Sequence, residues 1–218
     1  MEKLTPCYIV QCMKPTCRFR FPVAVNPVEP ICPKCGSPAQ VTIYNIQGSE
    51  NSPQNQYPEK IEILLDNVRS AYNTGSILRT SDAAKISHIH LCGTTPTPDN
   101  PKVRKTALGA EFSIPWSLHW NALDTVIELR QKGHFIISLE ISPTAASVFD
   151  LQPDQLRFPL VLVVGNEVTG VDPEILAQSH QIIQIPMMGV KGSINVATAF
   201  GIAVYFLRYF GAKTAKYP

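Results

Sequence analysis

The chain has 218 residues, 44% hydrophobic and 17% charged, a composition that excludes a disordered polymer and suits one α/β core with a small appendage. Its net charge of +2 excludes capture of nucleic acid by a whole-molecule field. No apolar run reaches the roughly 18 residues needed to span a bilayer, so a membrane location is not expected.

The first residues, MEKLTPCYIVQC, lack the basic start, long apolar middle and small-residue cleavage site of a secretory signal. A cytoplasmic location is expected, where cysteines stay reduced and favour metal sites over disulfides. Residues 1–44 form the first segment. Cys12 and Cys17 are followed by Cys32-Pro-Lys-Cys35-Gly36, a C-x4-C and C-x2-C-G pattern that suits structural zinc held by four thiolates. Gly36 lets the backbone turn tightly around the metal. So short a segment buries too little surface to stabilise itself, which favours the metal. Cys7 repeats the spacing and is the alternative to Cys12 or Cys17. Lys3, Lys14, Arg18, Arg20 and Lys34 face only Glu2 and Glu29 here. Arg18-Phe19-Arg20-Phe21 is expected on one strand, with both Arg on one face for RNA phosphates and both Phe packed on the other. An ordinary amphipathic strand is the competing reading.

Residues 45–58, NIQGSENSPQNQYP, read as a flexible linker. Residues 59–218 then alternate strands and helices. Strands are predicted at 61–65, 89–91, 135–139, 160–164 and 182–185; several are continuously apolar, as in a parallel sheet covered on both faces. Helices are predicted at about 74–85, 121–132, 173–179 and 195–210, the third opened by Asp172-Pro173-Glu174. The alternation gives an α/β domain with a mostly parallel sheet. Three clusters fall where strands end, which is where open α/β sheets bind ligands. Asn73-x-Gly75-x-x-x-Arg79-Thr80 opens the first helix, with Asn73 as its expected cap and Gly75 permitting close approach. Gly165-Asn166-Glu167 follows the strand at 160–164 and places a carboxylate at the sheet edge. Ile185-Pro-Met leads to Gly189, Gly192, Ser193, Ile194 and Asn195 before the last helix, where Ser193 or Asn195 can cap. His88, His90, His119, His134 and His180 show no ligand pattern with carboxylates, which disfavours a metal-dependent hydrolase.

With Lys105-Thr-Ala-Leu-Gly109-Ala-Glu111 added, these clusters in this order resemble the SpoU–TrmH family of RNA ribose 2′-O-methyltransferases over residues 60–210. The resemblance implies a deep trefoil knot of the SPOUT type, a homodimer whose interface completes each site, and S-adenosylmethionine as cofactor. It implies that Gly165, Ile185 and Ile194 hold the cofactor, and that Asn73, Arg79, Glu167, Ser193 and Asn195 form the catalytic centre. Arg79 either helps deprotonate the 2′-hydroxyl or, staying charged, binds the adjoining phosphate and stabilises developing alkoxide. Lys102, Arg104 and Lys105 are expected to add RNA backbone contacts. Val168 stands where the family has glycine after the glutamate, and Ile194 where leucine is usual. The substrate is expected to be structured RNA, transfer RNA slightly ahead of ribosomal RNA. The alternatives are an inactive zinc-ribbon RNA-binding or assembly protein and a base methyltransferase of the same fold.

Overall fold

The computed structural model describes residues 7–23, 27–44 and 59–214, and the chain divides into two compact units, Met1–Gln54 and Asn55–Pro218. The segment expected as a linker, residues 45–58, lies outside the described residues.

The first unit is a three-stranded antiparallel sheet. Strands β1 (Cys7–Cys12), β2 (Arg20–Val23) and β3 (Ala39–Tyr44) lie in the order β2-β1-β3. Val10 pairs with Phe21 on one side and Val41 on the other, giving an apolar row in which Val10 is fully buried. The neighbouring row, Arg20, Gln11 and Gln40, points to the opposite face because side chains alternate along a strand. Two tight turns close the ends of the strands. In one, the Cys17 and Arg18 amides donate to the Lys14 carbonyl; in the other, the Gly36 amide donates to the Cys32 carbonyl. Gly36 has a φ of 69°, the conformation expected of it.

The strand expected over Arg18–Phe21 is corrected in part. β2 begins only at Arg20, and Arg18 sits in the preceding turn with a φ of 48°. The sulfur-bearing turn takes the residue that strand periodicity alone would have assigned to the sheet. Phe19 and Phe21 do share a side, their rings stacked at 5.7 Å.

The second unit runs β4 (Ile61–Asp66), α1 (Ala71–Ala83), β5 (His88–Cys92), α2 (Pro101–Ala107), β6 (Trp116–His119), α3 (Ala122–Gln131), β7 (Phe135–Leu139), β8 (Ala146–Ser147), β9 (Leu160–Val164), α4 (Pro173–Gln178), β10 (Gln181–Gln184) and α5 (Val196–Thr214). The strands form a seven-stranded sheet in the order β6-β5-β4-β9-β7-β10-β8, and every pairing is parallel. Parallel pairing requires crossovers over the faces, which explains why all five residues of β9 are buried. On one face Ile63, Leu65, Leu162 and Val164 pack with Ile77 and Leu78 of α1 and Phe200, Val204 and Leu207 of α5. On the other, Leu64, Val161 and Val163 pack with Val126 and Leu129 of α3 and Ile175 of α4. Each fully buried aliphatic side chain contributes about 1.5–3 kcal/mol by removal from water.

Helix α1 starts earlier than its pattern suggested. Ser70, not Asn73, is the N-cap, its hydroxyl accepting from the Asn73 amide. Asn73 is thereby released from capping. Gly75 acts as expected: a Cβ there would lie 2.1 Å from Thr106 Oγ1 and 2.2 Å from the Val103 carbonyl, so its absence lets α2 lie against α1. Asp172 and Asn195 cap α4 and α5 through their side-chain oxygens. Helix α2 and strands β6 and β8 were not predicted; each is short and lacks a long periodic pattern. In α5, buried Arg208 donates to the carbonyls of Glu59, Ala84 and Lys85, so its charge sits on peptide oxygens left by neighbouring segments.

Candidate functional site

The C-terminal ends of β4, β7, β9 and β10 and the start of α5 surround a cavity of about 670 Å³. Asn73, Glu167, Ser193 and Asn195 all line it, and so do Gly165, Ile185 and Ile194. Met187, from the Ile185-Pro-Met motif, also lines it, as do Leu139, Glu140, Ile141 and Gln184, which were not found from sequence. Leu139 and Gln184 end β7 and β10, Glu140 and Ile141 follow β7 directly, and only the sheet order brings β7 beside β9 and β10.

A polar chain crosses the rim. Asn195 Nδ2 donates to Asn73 Oδ1 at 3.0 Å, and Asn73 Nδ2 donates to Glu167 Oε1 at 2.8 Å. Glu167 also accepts from the backbone amides of Arg69 at 2.8 Å and Ser70 at 3.0 Å. Partial burial acts to raise the Glu167 pKa, but the hydrogen bonds from Arg69, Asn73 and Ser70 outweigh it and hold the carboxyl below its ordinary value. The carboxylate thus sits at the N-terminus of α1, where free amides and the helix dipole favour negative charge. A carboxylate so engaged is a poor proton acceptor. Its geometry makes it an anchor that joins the β9 loop to α1.

Two further contacts set the loops. Asn166 Nδ2 donates to the Asn67 carbonyl at 2.7 Å, while its Oδ1 accepts from the Val168 and Thr169 amides. Buried Asp66 accepts from Asn67 Nδ2 and the Asp172 amide, each at 2.9 Å. At Gly165 a Cβ would lie 2.3 Å from the backbone of Gly170 and Val171. Only glycine lets the β9 strand end approach that turn and leave the cavity open. Val168 is 70% exposed on the turn and lines the cavity, so the larger side chain sits at its open side.

Arg79 does not line the cavity of its own chain. It is exposed on α1, six residues after Asn73, and six residues on an α-helix rotate a side chain by about 240°. Lys102, Arg104 and Lys105 are exposed on α2, whose Thr106 hydroxyl donates to the Tyr72 carbonyl beside Asn73.

The four expected cysteines converge. Their sulfurs lie within 4.8 Å of one another, with Cys12–Cys35 at 3.5 Å and Cys17–Cys32 at 3.9 Å. Tetrahedral zinc with bonds of about 2.3 Å sets sulfurs about 3.8 Å apart, so the donor set fits that ion. Without metal the thiols are unequal: burial pushes Cys12 up to about 12, while hydrogen bonds from Ser37 bring Cys35 down to about 6. Cys7 begins β1 five residues before Cys12, about 17 Å away along an extended strand, which removes it from the set.

Two of the histidines, which show no ligand pattern in the sequence, meet a shared carboxylate in the fold. Glu62 Oε2 accepts from His90 Nε2 at 2.9 Å, and Glu62 Oε1 lies 3.4 Å from His134 Nε2. His90 Nδ1 is 3.2 Å from His119 Nε2, and Ser117 Oγ lies 2.7 Å from His119 Nε2 and 2.8 Å from His88 Nε2. Parallel register across β4, β5 and β6 assembles this cluster from residues far apart in sequence. Among the described residues only the four cysteines meet the spacing of a metal-ligand group, so a hydrolase centre is still not indicated.

A sequence model of the SpoU rRNA Methylase family matches residues 60–205. The chain belongs to this family. The SpoU domain is 33% identical over 146 residues to the 23S rRNA (guanosine(2553)-2′-O)-methyltransferase RlmP of Bacillus subtilis (strain 168), covering 67% of this chain and 57% of that protein. It is 28% identical over 145 residues to the tRNA (guanosine(18)-2′-O)-methyltransferase of Escherichia coli (strain K12), covering 66% and 61%. The chain therefore spans less than two thirds of the length of these relatives. Among solved structures, the A. aeolicus TrmH/SpoU tRNA modifying enzyme superimposes with a TM-score of 0.65 at 26% identity, over 74% of this chain and 80% of that one. The AdoMet-bound rRNA methyltransferase from Sinorhizobium meliloti gives 0.63 at 28%, over 69% and 56%. No helix among the described residues of this SpoU protein is long and apolar enough to cross a membrane.

Proposed function

We propose that the chain transfers a methyl group from S-adenosylmethionine to a ribose 2′-hydroxyl of structured RNA, with transfer RNA slightly preferred to ribosomal RNA. The observation that carries this reading is the convergence of Asn73, Gly165, Glu167, Ile185, Ser193, Ile194 and Asn195 on one cavity, although 122 residues separate the first from the last. Relatives named as 2′-O-methyltransferases for both RNA classes support the chemistry and leave the class preference to experiment.

The cavity fits the cofactor. Leu139, Ile185, Met187 and Ile194 offer apolar walls for an adenine, while Glu140 and Gln184 supply polar groups beside them. S-adenosylmethionine, when bound, supplies an electrophilic methyl group. The protein must orient the ribose and manage its hydroxyl proton. Asn73 and Asn195 hold each other at the rim, and Glu167 fixes Asn73 and the first turn of α1. Ser193, which lines the same cavity, offers a hydroxyl. Arg79, turned away from its own cavity, supports a homodimer in which a second copy brings this guanidinium to the site. There it binds the phosphate and stabilises the developing alkoxide, since guanidinium does not give up its charge. The parallel sheet and the family membership support a trefoil knot at the C-terminal end, through which the β9, β10 and α5 segments form the cofactor slot.

The four cysteines hold structural zinc with no open position for chemistry. The unit they stabilise, with Arg18 and Arg20, and the exposed α2 residues Lys102, Arg104 and Lys105 contact RNA phosphates. The deciding experiment is methyl transfer from labelled S-adenosylmethionine to unmodified total RNA, followed by nuclease digestion. A 2′-O-methylated nucleoside is expected; a methylated base, or cofactor binding without incorporation into any RNA, overturns the reading.

A further inference from the structure

The first unit has a cleft of its own, about 370 Å³, lined by Gln11, Cys12, Met13, Pro15, Arg18 and Gln40. Methyl transfer in the second unit makes no use of it. We infer that this cleft binds one unpaired nucleotide of the RNA substrate, with the base edge on Gln11 and Gln40, the base face on Met13 and the phosphate on Arg18. The inference rests on the reading of RNA as substrate and adds to it a recognition site.

The sheet register supplies the first argument. Gln11 and Gln40 are paired residues on β1 and β3, so their amides stand side by side on the same face. Each carries both donors and an acceptor, the combination that matches a base edge. Arg20, paired with Gln11 from the other side, donates from Nη1 to Gln11 Oε1 at 3.3 Å, which orients that amide. Among the described residues the side chains of Gln40 and Arg18 make no hydrogen bond, and both residues are exposed. Their polar groups are available to a ligand.

Charge and shape supply the second. The lining contains a cation and no carboxylate, which suits a phosphodiester and disfavours a cationic partner. Met13, 62% exposed at the edge of the cleft, is a polarisable apolar surface of the kind on which a base face rests. The cleft also has little freedom to collapse. Buried Cys12 lines it, and the Arg18 backbone is pinned by its hydrogen bond to the Lys14 carbonyl. A site fixed by a four-sulfur cluster loses little entropy when a ligand binds. Duplex RNA suits the cleft less, because its bases are stacked and paired, with faces and Watson–Crick edges covered, whereas an unpaired base can be splayed out.

The test uses the full, zinc-loaded chain and a labelled single-stranded RNA oligomer, the same oligomer annealed to its complement, and a range of salt concentrations. Gln11→Ala/Gln40→Ala is expected to weaken single-strand binding about fivefold or more. Because no charge is removed, the salt slope should stay the same. Arg18→Ala should lower that slope by about one. Zinc content and melting of each variant are measured alongside, and Gln40→Ala alone serves if the double variant loses metal. Equal affinity of the Gln variants and the wild type, or preference of the wild type for the duplex, overturns the cleft. Methyl transfer to total RNA is assayed in parallel. Transfer with Gln-independent binding removes the cleft and leaves the enzyme; Gln-dependent binding without transfer removes the enzyme and leaves the cleft.

Discussion

Glu167 shows how a residue's chemistry follows from its partners. Three donors reach its two oxygens, and one of them, Asn73, is itself held by Asn195. Glu167→Ala would strip acceptors from the first turn of α1, lowering stability by about 1 kcal/mol after discounting for solvent exposure. Methyl transfer should fall about a hundredfold or more, because Asn73 loses its orientation. Glu167→Gln should retain more activity than Glu167→Ala, measured as single-turnover rates. A base role would instead make both variants equally inactive. Arg79→Ala should leave S-adenosylmethionine affinity within about twofold while turnover falls about a thousandfold, read by calorimetry and initial rates. Gly165→Ala places a Cβ 2.3 Å from backbone that cannot rotate away, so cofactor affinity should fall with stability.

The strand elements carry a pH response. His88 and His119 are pushed below the ordinary histidine range, first by burial and then by the neighbouring His90. Glu62 is held low by its hydrogen bond to His90 and by the charge of His134. For the two histidines the unfolded chain binds more protons than the folded one, so stability is fully present above about pH 6.5 and is lost as pH falls through the lower folded values. The Glu62 contribution has the same sign and is lost only under more acidic conditions, below the ordinary Glu value of about 4.3. The two tryptophans of the chain, Trp116 and Trp120, are both in or next to β6, beside the cluster. Thermal melting followed by their fluorescence should shift to lower temperature between about pH 7 and pH 5. An invariant midpoint over that range would show that the cluster does not stabilise the sheet. In the core, Leu162→Ala on β9 should cost about 2–5 kcal/mol, since that strand is buried on both faces.

At the scale of the whole molecule, the two units respond to different perturbations. Removing zinc with a chelator should abolish the antiparallel sheet of residues 7–44, because so small a unit has little core beyond Val10 and its neighbours. The tryptophan melting transition should keep its midpoint. The proposed dimer is tested by mixing Arg79→Ala chains with Asn195→Ala chains and allowing exchange. If a second copy supplies Arg79, each mixed dimer regains one complete site, and activity should rise to about a quarter of wild type at equal mixing. Activity that stays at the level of the single variants would place both residues in the same chain's site.

Much of this architecture was legible because its causes are local. Apolar continuity marked β4, β7 and β9, Asp172-Pro173 marked the start of α4, and the C-x4-C and C-x2-C-G spacing selected the four cysteines that converge. The motifs around Asn73, Glu167 and Ser193 were likewise visible as residue types at strand ends. Tertiary structure decided the rest. Ser70 took the cap that Asn73 was expected to fill, because the helix starts at Ala71 and places Asn73 inside its first turn, where the side chain meets Glu167 from a distant loop. Arg79 left the cavity because helical rotation, not motif membership, sets where a side chain points. The histidines became a cluster only when parallel register placed β4, β5 and β6 side by side. Sequence fixes what depends on neighbours a few residues away; which distant groups share a hydrogen bond depends on strand order and register, and those are set by packing both faces of the sheet at once.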